Sequence, residues 1–191
     1  MEERIRETWE AGDRRAAAAC AIETYGPEVL CWLVAATHDA AAADDAFGAG
    51  CEDLWTSFDA FRWECSVRTW LYTLCRRALV RQKTRAAERP GRRVELGSFD
   101  AAEIARSRTV PWVRTEVKDV FARLRAALDE GERELLVLRV DRELPWEDVA
   151  TILGEDGAPA VASARLRKRF QNVKEKLREL ARAEGLLEDE G

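Results

Sequence analysis

The sequence has little of what metal binding and the common enzyme chemistries require. Histidine occurs once, at His38, and the five cysteines include no C-x-x-C pair. A structural zinc site needs four ligands, so this composition argues against one, and we expect no metal and no cofactor. The chain also lacks a glycine-rich loop that could hold phosphates and a G-x-S-x-G turn. We therefore expect no catalytic residues and a protein that is not an enzyme.

Long apolar runs are absent as well. No segment reaches the roughly 18 consecutive apolar residues that a membrane-spanning helix needs, and the N-terminal stretch lacks the apolar core of a signal peptide. An odd number of cysteines without paired spacing is typical of reduced thiols. These features predict a cytoplasmic protein.

Strand patterns are missing too, since no segment alternates apolar and polar residues. Glycine and proline are few, 11 and 5 in 191 residues, and they fall mostly between segments with helical periodicity. We therefore predict an all-α fold of two small helical domains. The predicted boundaries are residues 1–87 for the first domain, 88–113 for a linker, and 114–191 for a second domain that ends in a short acidic tail.

A helix with an apolar stripe is predicted directly after Ser66, whose hydroxyl can cap it. Apolar residues then recur with a 3.6-residue period, which places one face of the helix in a core. Aromatic and basic residues surround the start of this helix. The stripe consists of Val67, Trp70, Leu71, Leu74 and Ala78.

Positive charge is concentrated on this segment. From Arg62 to Arg93 there are ten basic and two acidic residues, although the net charge of the whole chain is −5. Such a separation of charge is typical of proteins that bind polyanions. Aromatic side chains beside the arginines could stack on bases, at roughly 1 to 3 kcal/mol per base. The alternative is that Trp63 and Tyr72 complete the core.

A helix-turn-helix pattern occupies the C-terminal part. Leu135, Leu136 and Leu138 predict a first short helix, and Pro145 suits the N1 position of a second helix. Gly154 can close that second helix in a left-handed conformation.

A third helix follows, with Leu166, Phe170 and Val173 on its apolar face. Between residues 165 and 182 it carries eight basic and two acidic residues. Arg, Gln and Asn can pair with base edges in the major groove, and Lys suits phosphate. A recognition helix is the prediction, and a solvated amphipathic helix in a bundle is the alternative.

Two blocks of the chain resemble a known family. The run FDAFRWECSVRTWLY from Phe58 to Tyr72, preceded by Ala43-Asp44-Asp45 and Trp55, resembles region 2 of sigma-70 class transcription initiation factors of the extracytoplasmic-function group. The segment from Ala126 to Gly154 resembles the start of region 4. The resemblance implies an alternative sigma factor that binds core RNA polymerase and promoter DNA and directs transcription initiation, with an anti-sigma factor as a further partner.

Three sets of site residues are implied by the resemblance. The set for the minus-ten promoter element is Arg62, Trp63, Arg68, Thr69, Trp70, Tyr72, Arg76, Arg77 and Arg81. The set for the minus-thirty-five element is Arg165, Arg167, Lys168, Arg169, Gln171, Asn172 and Lys174. The set for polymerase binding is Asp44, Asp45, Glu52, Asp53 and Trp55.

One departure from the family concerns polymerase binding. Gly48-Ala49 stands where the family has a Gln-Glu pair that helps to grip the polymerase clamp, and Gly50 follows. Because a glycine inside a helix costs roughly 1 kcal/mol relative to alanine, we expect this helix to be weakened or broken. Two other functions therefore stay open. One is a stand-alone helix-turn-helix DNA-binding regulator, and the other is a sigma-like interaction module that has lost polymerase binding.

Overall fold

The described part of the chain is helical wherever it has regular structure. A computed structural model describes residues 1–88 and 122–186, and no strand occurs within those ranges. These residues fall into two compact units, whose main parts are residues 1–88 and residues 122–150 with 155–186. The all-α prediction is confirmed for this part of the chain. Apart from Glu88, the predicted linker lies outside the described residues.

Four helices form the first unit, and aspartates cap two of them. The side chain of Asp13 accepts a hydrogen bond from the Ala16 amide, and that of Asp39 accepts one from the Ala42 amide. Each satisfies one amide that the first turn leaves without a partner. The helices are α1 (Glu2–Glu10), α2 (Arg14–Thr37), α3 (Ala40–Ser57) and α4 (Val67–Glu88), with a 3-10 turn at Phe58–Ala60 before α4.

The core of this unit lies between α2, α3 and α4. Helix α4 packs against both α2 and α3, while α1 packs against α2. The Trp32 and Tyr72 rings meet edge to face at 5.2 Å, and Leu33, Leu54 and Leu71 are fully buried around them. Burial of large side chains on this scale supplies the main stabilising free energy of the bundle.

Helix α3 is continuous through Gly48 and Gly50, so it is not broken, and the part of the prediction that expected a break is wrong. Gly50 is buried where α3 crosses α4. A Cβ atom there would overlap the Cys75 sulfur and lie 2.7 Å from the Cys75 Cα. The absence of a side chain therefore lets the two backbones touch, and the packing this permits outweighs the helix propensity lost. Gly48 faces open space.

Three α-helices of the second unit follow a short helical stretch at residues 122–126. Asp129 and Glu132 form a reciprocal capping box at the start of α5. The chain then widens into a π turn at Val137–Asp141. The helices are α5 (Glu130–Leu136), α6 (Trp146–Leu153) and α7 (Pro159–Ala183).

The predicted stop signals and apolar faces of this unit are confirmed. Gly154 has a φ of 65° and ends α6, and Leu135, Leu138 and Leu166 are fully buried. Pro145 differs from the prediction by one position, because its carbonyl accepts the first helical hydrogen bond, from Val149 at 3.0 Å. It therefore precedes the helix instead of occupying N1.

Candidate nucleic-acid interface

Four aromatic rings, from Trp9, Phe61, Trp63 and Trp70, form a cluster beside the loop of residues 61–66. The Phe61 ring lies 5.1 Å from Trp63 and 5.6 Å from Trp70, and Trp9 meets Trp63 at 5.7 Å. Trp63 has a φ of 58°, which is strained for a bulky residue. We call these four residues the aromatic cluster. Phe61 is buried, whereas Trp63 and Trp70 are half-buried and keep part of their rings accessible.

Helix α1 holds this loop and the start of α4 in place. The Glu2 carboxylate accepts hydrogen bonds from the Val67 amide and from the Tyr25 hydroxyl, and Trp9 Nε1 donates to the Phe58 carbonyl at 2.9 Å. Ser66 Oγ accepts from the Thr69 amide at 3.0 Å, so the predicted cap is confirmed. Sequence reasoning missed α1, although Ile5 and Trp9, four residues apart, carried the signal of an apolar contact.

An open cleft separates α1 from the loop. Its volume is about 690 Å³, and its walls carry more carboxylates than cations. A negatively charged wall repels phosphate, so a nucleic-acid backbone would approach from the arginines of α4 and not from α1. The lining residues are Glu2, Glu3, Arg6, Glu7, Glu10, Trp63, Cys65 and Ser66.

Two residues predicted to contact DNA on α4 are fully buried. Thr69 and Tyr72 have no accessible surface, and the Tyr72 ring packs on Trp32. The prediction that these two side chains touch DNA is wrong for this conformation. The physical reason is that α4 packs against two helices, so its buried surface is wider than the single stripe read from the sequence.

The arginines of α4 and of the loop before it differ in their exposure and in whether a carboxylate binds them. Arg68 Nε and Nη2 donate to the two carboxylate oxygens of Glu28, at 2.6 and 3.0 Å. Burial lowers the pKa of Arg68, but the Glu28 carboxylate has the opposite effect, and the net result is a raised pKa. Arg81 pairs with Asp53 at 2.6 Å. Arg62 and Arg77 are exposed. Arg62 lies 3.9 Å from Glu64, Arg77 lies over the Trp70 ring at 5.8 Å, and Arg76 is half-buried.

The predicted minus-thirty-five residues remain at the surface of α7. Lys168, Gln171 and Asn172 lie opposite its buried face and are exposed. On one flank Arg165 donates to the Asp156 carbonyl and Arg169 bonds Glu155 at 2.7 Å. On the other flank the exposed Arg167 lies over the Trp146 ring at 5.8 Å, and the half-buried Lys174 over the Phe170 ring at 5.5 Å.

The predicted polymerase-binding residues lie on two sides of α3. Asp44, Glu52 and Trp55 follow one helical stripe, and Trp55 is 47% exposed. The exposed Asp45 borders this stripe, and its side chain bonds Gln82 on α4 at 3.3 Å. Asp53 lies on the other side, against Arg81. Partial burial and the neighbouring Asp45 raise the pKa of the Asp44 carboxyl.

An apolar groove lies beside this stripe and was not predicted from the sequence. It has a volume of about 430 Å³ and runs between α2 and α3. Gly48 lines it, so the missing side chain widens the groove. Its lining residues are Ile22, Glu23, Gly26, Pro27, Leu30, Asp44, Phe47 and Gly48.

None of the five cysteines, all of which lie in the first unit, forms a disulfide. Burial raises the pKa of Cys51 to about 11 and also raises the pKa of Cys75. Both therefore remain protonated at neutral pH and unreactive. Among the described residues, no group of three or more His, Cys, Asp or Glu side chains is placed to hold a metal ion. Within the same ranges, no helix is long and apolar enough to cross a bilayer.

Comparison with known proteins relates this chain to a family, to a relative of known function and to a solved structure. The Sigma-70 region 2 family matches residues 21–89, which contain the loop and α4. RNA polymerase sigma factor YlaC of Bacillus subtilis is 28% identical over 68% of this chain and 75% of its own. A solved structure of the sigma factor RpoE in complex with the anti-sigma factor NepR from Bartonella quintana superposes with a TM-score of 0.61 at 18% identity. That match covers 84% of this chain and 94% of RpoE, and it shows a shared fold.

Proposed function

Since this chain belongs to the sigma-70 family, in its extracytoplasmic-function group, we propose that it binds core RNA polymerase as an alternative sigma factor and directs transcription initiation. The observation that carries this function is the family match over residues 21–89, the segment that holds the loop and α4. The protein would supply promoter choice without covalent chemistry of its own. We place it in the cytoplasm, where bacterial polymerase and promoter DNA are found.

The minus-ten element would be held by the loop and the open arginines of α4. Trp63 and Trp70 present partly accessible rings, and stacking on such rings contributes roughly 1 to 3 kcal/mol per base. The exposed Arg62 and Arg77 flank them and suit phosphate. Arg76 and Arg81 would extend the phosphate-binding surface along α4, and Arg81 would first have to break its ion pair with Asp53. Arg68 would act from within the unit, as the partner of Glu28.

The minus-thirty-five element would be read by α7. The exposed Lys168, Gln171 and Asn172 point away from its buried face, and amide and ammonium groups there can bond base edges in the major groove. Arg167 and Lys174 on one flank, and Arg165 on the other, lie where a helix in the groove meets the two phosphate strands, whereas Arg169 is engaged by Glu155.

Polymerase would bind at the acidic stripe of α3 and its apolar groove. Asp44, Asp45, Glu52 and Trp55 offer negative charge and one exposed ring, and the groove offers apolar surface beside them. A basic, partly apolar helix fits that combination, because its cations would meet the carboxylates and its apolar side chains would meet the groove. Because α3 is continuous, it presents this stripe and groove on an intact helix, although Gly48-Ala49 still stands in place of the family's Gln-Glu pair.

Tethering would make two weak sites act as one. Each unit alone neutralises few phosphates and would bind DNA in a strongly salt-dependent way. Once both are held on polymerase, the second contact becomes intramolecular and its effective concentration rises. We also propose an anti-sigma factor as a partner, because the similar RpoE structure is a complex with one.

The test is co-purification with core RNA polymerase followed by run-off transcription. Stable association with new promoter-specific transcripts supports the sigma function. DNA binding without association would support the stand-alone regulator, and failure of both would support the interaction module. Glu52→Lys should abolish association, because it places a cation where a basic partner is expected, whereas Glu7→Lys on α1 makes the same charge change as a control.

A further inference from the structure

Two ion pairs fasten one flank of α7 to the rest of its unit. Arg169 Nη1 lies 2.7 Å from Glu155 Oε1, in the turn before the helix. Lys176 Nζ lies 2.6 Å from Glu132 Oε2, in the first turn of α5. Positions 169 and 176 are seven residues apart and therefore share a flank two turns apart. The helix is thus held at two points along its length, by two different elements.

Both glutamates are anchored through backbone hydrogen bonds. The Glu155 amide donates to the Ala150 carbonyl and the Gly154 amide to the Thr151 carbonyl, at 3.0 and 3.2 Å. This is the Schellman pattern, which sets the backbone at Glu155 rigidly. Glu132 Oε2 accepts from the Asp129 amide at 2.9 Å as part of the capping box. The Glu132 carboxylate therefore has little freedom to follow Lys176, and the Glu155 side chain extends from a fixed backbone position towards Arg169.

The apolar contacts of α7 do not fix its rotation in the same way. Val173 is buried with Leu128 and Leu136, and Phe170 and Leu177 pack against them. Apolar contact is non-directional, so a small roll of the helix preserves most of it. A roll of about 20° would move side-chain ends that lie about 6 Å from the axis by about 2 Å, enough to misplace a base contact.

We infer that Glu155 and Arg169, supported by Glu132 and Lys176, are positioning residues that set the roll of α7 in the major groove. Arg169 then governs sequence selectivity without reading a base, and Lys168, Gln171 and Asn172 read the bases. This inference rests on the proposed function of α7 as the reader of the minus-thirty-five element.

The change in DNA binding caused by one substitution distinguishes a positioning role from a simple effect of charge. Glu155→Gln removes a negative charge beside the DNA surface, and charge alone would tighten binding to any duplex. Loss of positioning instead lowers the preference for the correct sequence. Asp156→Asn is the matched control, because it makes the same charge change one residue along the turn at an exposed side chain. There the backbone carbonyl, and not the carboxylate, receives the Arg165 bond.

The experiment uses the full-length protein and defined duplexes. Duplexes selected by the native protein from a randomised library are compared with scrambled versions at several salt concentrations. We expect Glu155→Gln to lower the ratio of selected to scrambled affinity by about fivefold, a modest effect because the pair is partly exposed. Arg169→Gln should lower the ratio equally, the double variant should lose no more, and Asp156→Asn should keep the native ratio.

Several results would overturn the inference. An unchanged ratio in Glu155→Gln would do so. Arg169→Gln would also overturn it if the variant lost equal affinity for selected and scrambled duplexes and its slope of log affinity against log salt fell by about 1. That combination is the signature of a phosphate contact. Should the single variants unfold in circular dichroism, the charge swap Glu155→Arg with Arg169→Glu decides, because recovered selectivity supports positioning and absent recovery refutes it. A native protein that selects no sequence refutes the proposed role of α7 itself.

Discussion

Helices α4 and α7 are both basic, yet they use their polar faces differently. Helix α4 packs against α2 and α3, and residues predicted for its open face, Thr69 and Tyr72, are in the core. Helix α7 keeps Lys168, Gln171 and Asn172 exposed. The number of neighbours that a helix has therefore decides how much of its polar face is available to a ligand.

Some arginines in each unit form ion pairs with carboxylates. Arg68 pairs with Glu28, Arg81 with Asp53, and Arg169 with Glu155. Because an exposed ion pair contributes only about 0 to 1 kcal/mol, we expect DNA to displace the Arg81–Asp53 pair, in which both side chains are open to solvent. Local counts of basic residues overstate the positive surface of α4 more than that of α7, since Arg68 is held by two bonds in a half-buried position.

The largest expected effect concerns the close backbone contact between α3 and α4. Gly50→Ala should destabilise the protein by about 2 to 3 kcal/mol, because the new methyl group meets Cys75 backbone atoms that cannot move away. Gly48→Ala, two residues along the same helix, should stabilise it by about 0.5 to 1 kcal/mol, as nothing lies within 4 Å. Urea denaturation measures both. Equal effects of the two substitutions would contradict the close crossing.

A smaller loss is expected from the ion pair that removes Arg68 from the surface. Glu28→Gln should lower the free energy of unfolding by about 1 to 2 kcal/mol, because a half-buried guanidinium loses its bidentate partner. Glu64→Gln, near the exposed Arg62, should change it by less than about 0.5 kcal/mol. Thermal and urea unfolding of the two variants give the comparison. A loss no larger at Glu28 than at Glu64 would show that Arg68 does not depend on its carboxylate.

The third prediction compares the partly accessible Trp63 of the loop with the buried Tyr72 of α4. Trp63→Ala should weaken binding of the polymerase-bound protein to single-stranded minus-ten DNA by about fivefold, the lower end of stacking energies. Tyr72→Phe should leave that affinity unchanged, since the ring is buried. Fluorescence anisotropy with a labelled strand reports both. An equal loss in Tyr72→Phe would restore Tyr72 as a DNA contact.

The smallest effect is on the salt dependence of the same binding. Arg62→Gln should reduce the slope of log affinity against log salt by about 0.7, the value for one phosphate contact on a single strand. Arg68→Gln should leave the slope unchanged, because Arg68 is engaged by Glu28. A slope that falls in both variants would mean that DNA takes Arg68 from its partner.

Much of the helical architecture could be predicted from local patterns. The cap at Ser66, the left-handed stop at Gly154 and the buried positions of α7 are confirmed, because capping and helical periodicity depend on residues within a few positions of one another. The aromatic loop of residues 61–66 was recognised by the same local means. The role of α1 was not, because its contacts with that loop join residues far apart in the chain.

Local sequence by itself thus determined where α4 begins, where α6 ends and which side of α7 is apolar. Only the tertiary structure decided that α3 survives Gly48 and Gly50, that Tyr72 is buried, and which arginines have carboxylate partners. The physical reason is that propensity and capping act over one or two turns, whereas burial and ion pairing depend on which other helix lies alongside. That neighbour is chosen by the packing of the whole unit, as the backbone contact between Gly50 and Cys75 illustrates.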